Sequence, residues 1–408
     1  MQKEIPIRFW LRLSVFNLLL VAFIGVVLRY KIVGTFPYVD QKYLLHGHSH
    51  FAFSGWVSLA LMSLMLQTIS RLTKQSLPLI FNRILWINAI AAYGMLLSFP
   101  LQGYGVFSIF FSTLSIFTSY YFGWKIWQIL NDSPIAHPSF LWFRGAVIFN
   151  ALSSIGAFAL AYMMANKIIH QNWYLAAVYF FLHFQYNGWF VFGCVGLLID
   201  KLNLTLKIHA QTSTFFWMFA FACIPAYFLS ALWMPMPGWV YWLVVVSAFA
   251  QVVAWVRFIY TAQKENAFEQ MPKQLKKILW LPAIAMTLKL LLQLGSTIPL
   301  LSKLAFGFRP IVIGYLHLVL LGIVSLFLLA MISQVCFNSK SKLFQTGIWL
   351  LAIGICINEL VLMMQGTAAM LNIVLPFLNE VLLMAALMMF MAVAWLNRFV
   401  IWMNLNNQ

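Results

Sequence analysis

The chain has 408 residues, 63% of them hydrophobic and only 8% charged, with a formal net charge of +17. Soluble domains carry about 25% charged residues, so the composition excludes a soluble enzyme and predicts an all-α polytopic membrane protein. The basic excess follows the loops, as topology requires, and gives no reason to expect a nucleic-acid partner.

A membrane-spanning helix needs about 20 mostly apolar residues. Twelve runs meet that length, near 9–29, 48–70, 79–100, 104–130, 141–165, 173–199, 212–233, 238–260, 276–298, 309–335, 343–366 and 373–401. Arg8 and Arg12 lead into the first, which has no small-residue cleavage site, so it reads as a helix and not a signal peptide. Of the 25 Lys and Arg, the majority fall on the side of the N-terminus, few fall opposite, and Lys289 lies inside the ninth run. The positive-inside rule then puts both termini in the cytoplasm.

The second run opens with the densest polar cluster, His46-Gly47-His48-Ser49-His50, followed by Gly55-Trp56. In the sixth run His183 is followed by Gly188-Trp189, and in the tenth His317 by Gly322-Ile323, each Gly five residues after its His. The steps from His50 to His183 and from His183 to His317 differ by a single residue. Such a period marks a repeated unit. The unit starts agree: Trp10-Leu11-Arg12 with Asn17, Trp142-Phe143-Arg144 with Asn150, and Trp280-Leu281-Pro282. The ends agree too, at Trp124-Lys125, Trp255 with Arg257, and Trp395 with Arg398. Three pseudo-symmetric four-helix units are expected, about 1–135, 136–270 and 271–408, within one membrane domain. The longest polar stretch, Thr261–Lys277, reads as a solvated linker.

An intramembrane histidine is costly and by default functional. Neutral imidazole is an axial ligand for haem iron and also suits copper or zinc. His46, His48, His50, His183 and His317 are therefore the candidate metal ligands, with His46, His50 and His317 favoured for a haem bridging helices 2 and 10. His46 and His50 share a helix face, whereas His48 points roughly the other way. For His183, a structural hydrogen bond to a carbonyl is an equal alternative. The position two before each repeat histidine is His48, Phe181 or Tyr315. The glycines leave room for a macrocycle or for a close helix neighbour. Glu359, Glu380 and Lys289 are intramembrane charges, read as a buried pair between Lys289 and one of the carboxylates. Tyr186 is a possible donor beside His183. Cys194, Cys223, Cys336 and Cys356 form no CxxC pair and read as small buried apolar residues. His137, His170 and His209 read as surface residues.

These features resemble subunit I of the haem–copper oxidase superfamily, which includes nitric oxide reductases. That family has twelve helices in three four-helix arcs, and its low-spin haem is held by histidines of helices 2 and 10. Leu44-Leu45-His46 is similar to the opening of helix 2 in its cbb-type members, so the likeness favours His46 where the repeat favours His50. The resemblance implies haem b, an electron-donor protein or quinol, and a gas ligand such as nitric oxide or oxygen. It also implies a bacterial inner membrane. The likeness is incomplete: residues 212–233 hold no histidine for the family's copper site, and Tyr315 stands where the high-spin haem ligand would be. Copper is therefore doubtful, and any oxidoreductase would have an incomplete binuclear centre. The twelve-helix NnrS-type proteins share these traits without a close match of motifs. A metal-binding or proton-coupled transporter, or a non-catalytic sensory or assembly subunit, is the alternative.

Overall fold

The computed structural model describes residues 5–336 and 342–402; of the basic residues used for topology, Lys3 and Lys340 lie outside these. Twelve helices among the described residues are long and apolar enough to cross a membrane. They are α1 (Ile7–Val33), α2 (Gln41–Thr73), α3 (Ile80–Gln102), α4 (Val106–Asp132), α5 (Pro138–Ala165) and α6 (Gln171–Ile199), followed by α7 (Leu206–Ala231), α8 (Gly238–Lys264), α9 (Lys273–Gly295), α10 (Arg309–Cys336), α11 (Lys342–Met370) and α12 (Leu378–Trp402). No strand occurs among the described residues. Hydrocarbon offers backbone groups no partners, so each segment must pair its own, and helices result. The protein is an all-α polytopic membrane protein.

Several helices begin before their apolar runs. α2 starts at Gln41 because the Asp40 side chain accepts the Tyr43 N–H at 2.9 Å, an N-cap that satisfies a free donor. α7 starts at Leu206 behind a Thr205 cap, which brings His209 into its first turn. A short helix, Pro299–Gly307, precedes α10 and has no counterpart among the expected runs.

The last helix closes on the first, α12 packing along α1, while α4 meets α5 and α8 meets α9. α2, α6 and α10 touch one another at the centre. In their most apolar stretches 83%, 83% and 56% of residues are buried, against 17% for the peripheral α4.

Each repeat histidine is followed by a π-helical stretch: Ala52–Ser58, Phe184–Phe190 and Leu318–Ser325. A π turn disturbs the regular bonding ladder, and in an apolar interior displaced carbonyls need other donors. In α2 they have them. Asn17 of α1 donates to the Gly55 carbonyl at 2.7 Å, and Asn88 of α3 to the Ser54 carbonyl at 3.0 Å. The repeat glycines sit inside these stretches against protein: a Cβ on Gly188 would stand 2.4 Å from Phe149 Cβ, and one on Gly322 would stand 3.3 Å from Ala285 Cβ.

Two buried bonds tie the central helices in the same register. Trp56 Nε1 donates to Ser325 Oγ at 2.9 Å, and Trp189 Nε1 to Ser58 Oγ at 3.1 Å. Each joins the residue six after one repeat histidine to the residue eight after another. The remaining step of that cycle would pair Ile323 with Val191, where donor and acceptor are both replaced by aliphatic side chains.

Candidate functional site

The three histidines of α2 diverge, as about 100° of rotation per residue demands. His46 and His50 turn toward the end of α3 and the loop after it. The His50 ring stacks on Phe99, with centroids 4.4 Å apart and planes 15° apart. The Tyr104 ring meets that of His46 edge-on at 4.8 Å, and its hydroxyl lies 3.5 Å from His50 Nε2. Burial pushes the Tyr104 phenol up to about 12, so it remains an O–H donor near neutral pH. His46 Nε2 is buried with no hydrogen-bond partner among the described residues.

His48 turns instead toward α1. Its ring lies against the Val21 carbonyl, and its Cε1 is 3.6 Å from where a Cβ on Gly25 would stand. His48 Nδ1 is buried without a hydrogen-bond partner among the described residues. Arg29 and His48 are titratable groups that interact electrostatically with His317. Of the three α2 histidines it is His48 that interacts electrostatically with His317, whereas His46 and His50, favoured by the resemblance and the repeat, lie against Phe99 and Tyr104. Both His48 and His317 lie eight or nine residues into their helices, about 10–12 Å from helix starts at the same end of the bundle.

Around His317 the polar groups come from α1, α2 and α11. Asn358 Nδ2 lies 3.3 Å from His317 Nδ1 and donates to Glu359 Oε1 at 3.0 Å. Glu359 Oε2 is 3.3 Å from a Cβ placed on Gly314, and Arg29 is its cationic neighbour. His48, His317, Arg29 and Glu359 all keep partial accessibility, so none is packed shut. The expected pairing of Glu359 with Lys289 does not occur. Lys289, 2% exposed, lies beside Cys223 and His183 and joins none of the ion pairs among the described residues, and Glu380 is exposed.

His183 has both ring nitrogens engaged. Nε2 lies 2.8 Å from the Cys223 carbonyl and Nδ1 3.1 Å from Asn187 Nδ2. The amide can only donate, so Nε2 carries the proton and donates to the carbonyl. His209 is far from this point, about 21 Å along α7 from Cys223. Tyr186 and Tyr315 approach edge-on, 6.4 Å between centroids. His137 and His170 are N-cap residues of α5 and α6. Three cysteines are buried, whereas Cys356 is exposed on the outer side of α11.

No group of three or more His, Cys, Asp or Glu converges among the described residues. The arrangement offers two separate pairs of imidazoles, His48 with His317 and His46 with His50. Arg29, Asn358, Tyr104 and Phe99 complete them, and sequence reasoning assigned none of these four a role. No protein-family model matches this chain, and no curated protein matches it at a significant level.

Proposed function

We propose that the protein is a membrane-integral haem protein of the haem–copper oxidase subunit I type, in which His48 and His317 hold one low-spin haem b. The observation that carries this reading is the orphaned, buried Nδ1 of His48 on the side of α2 that faces His317. An unpaired ring nitrogen in an apolar interior needs a partner, and two imidazoles from different helices would hold haem iron between them. His48, His317, Arg29 and Asn358 fit that group. Arg29 supplies a cation for porphyrin carboxylates. Asn358, with its amide oxygen turned to Nδ1, would accept the His317 N–H and orient the ring, as second-sphere partners do. His183 has no free nitrogen in this reading, and no copper site is assigned to it.

Bound haem supplies reversible one-electron chemistry, in electron transfer or in handling nitric oxide or oxygen. The chain has no CxxCH motif, so electrons come from a partner protein or quinol. We place the protein in a bacterial cytoplasmic membrane, both termini inside, as three four-helix units of common origin. The in-register π stretches and Trp–Ser bonds support that origin.

The test is the absorption spectrum of protein purified from haem-replete cells. A b-type spectrum with a sharp reduced alpha band is expected. His48→Ala and His317→Ala each abolish that band, while His183→Ala keeps it. A colourless wild-type preparation refutes the reading, as does an unchanged spectrum in His48→Ala.

A further inference from the structure

Four residues apart on a regular helical turn, His46 and His50 project from one face, the spacing by which paired histidines chelate metal ions. Neither ring is committed elsewhere. His46 Nε2 is buried and has no hydrogen-bond partner among the described residues. His50 Nε2 has only the Tyr104 hydroxyl, at the outer limit of a hydrogen bond, 3.5 Å. The rings are nonetheless held in place. Phe99 backs the His50 ring face to face, and Tyr104 closes over both, with its ring 4.8 Å from that of His46 and 6.3 Å from that of His50. Tyr104 in turn is braced edge-on by Phe99 at 5.1 Å. Two preorganised imidazoles with unused nitrogens, walled by aromatic rings, have no structural task in the helix that bears them.

We propose that His46 and His50 form a transition-metal site, selective for copper, at the end of the bundle and separate from the His48–His317 pair. The donor set points to the metal. Two imidazoles, with no thiolate and no third convergent carboxylate or histidine among the described residues, suit copper or zinc and offer nothing to calcium or magnesium. Between copper and zinc, affinity for nitrogen ligands peaks at Cu²⁺. Tyr104 places a hydroxyl beside the metal position as a weak further donor or as a hydrogen-bond partner for metal-bound water. The site needs no rearrangement of α2, because its two ligands belong to one continuous helical turn. It does not rest on the haem reading, since His48 and His317 lie on the other side of the helix.

The experiment titrates purified protein, freed of adventitious metal by a chelator that leaves haem in place, with Cu²⁺ alone and follows binding by calorimetry and by pulsed electron paramagnetic resonance. One Cu²⁺ per chain is expected, with a spectrum coupled to two imidazole nitrogen sets. His46→Ala and His50→Ala each lower the affinity at least about 100-fold, because even second-sphere partners of metal ligands are worth about 10–100-fold. In the His50→Gln variant, which keeps a polar side chain of similar length, one imidazole coupling remains. His48→Ala and His317→Ala leave copper binding unchanged. Wild-type affinity in His46→Ala, or coupling to a single imidazole in the wild type, overturns the proposal. The haem content of the same samples, read optically, is an independent result: loss of haem signal with intact copper binding refutes only the haem reading.

Discussion

Asn17 is the side chain on which the π stretch after His50 most depends. It is fully buried. Its amide donates to the Gly55 carbonyl at 2.7 Å, and its oxygen accepts the Tyr93 hydroxyl at 2.6 Å. Asn17→Ala therefore strands a carbonyl in the bundle interior and leaves a hydroxyl without its acceptor. In a water-soluble core each unpaired group costs about 1–3 kcal/mol. In a membrane protein each such bond averages about 0.6 kcal/mol and reaches about 1.7, because the unfolded chain also finds partners. For two bonds the ranges overlap at about 2–3 kcal/mol, which is the expected loss. Tyr93→Phe removes only one donor from a partly exposed side chain and costs about 0.5–1 kcal/mol. Because the tyrosine bond requires Asn17, the double variant is no less stable than Asn17→Ala. Reversible unfolding in mixed micelles, followed by tryptophan fluorescence, measures all three. Stability of Asn17→Ala within about 0.5 kcal/mol of wild type, or additive losses in the double variant, would refute the account of how the π stretch is supported.

Two further outcomes follow, one from a buried group and one from a half-buried group. Lys289→Met removes a buried amine that joins no ion pair among the described residues, so the variant gains about 1–3 kcal/mol in the same unfolding assay; a loss would mean that Lys289 serves a bound ligand. At the membrane edge, His137 Nδ1 accepts the Ser139 N–H at 3.3 Å, a bond open only to the neutral ring. Burial lowers its pKa, with Asp200 opposing and Arg71 and His209 reinforcing. The fold thus favours the uncharged form. Its contribution is complete above about pH 6.5, the ordinary histidine value, and is lost as the pH falls below that. Wild-type melting temperature drops more between pH 7.5 and pH 5 than that of His137→Asn, which keeps a capping side chain without the titration; equal drops would exclude His137.

The repeat of His50, His183 and His317 was legible because a spacing survives in a string of letters. Its meaning was not. Each histidine introduces a π stretch, and that depends on i→i+5 bonding and on donors such as Asn17 and Asn88 arriving from other helices. The register also hid three different fates. His183 bonds the Cys223 carbonyl and Asn187, His317 faces Asn358, and His50 stacks on Phe99. None of those partners lies in the same helix except Asn187. The Lys289–Glu359 pairing failed for a related reason: apolar helices state which charges are buried, but not which neighbour their rotation presents.

By itself the sequence determined the helix count and the class, because an apolar run of about 20 residues has no other stable form in lipid. It also determined that His46 and His50 share a face and that His48 does not, since helical geometry is local. Only the tertiary structure decided that the face carrying His48 looks toward α1 and His317, while the other looks toward Phe99 and Tyr104. The rotation of a helix about its axis is set by packing with its neighbours, and a predominantly apolar chain carries little sign of it.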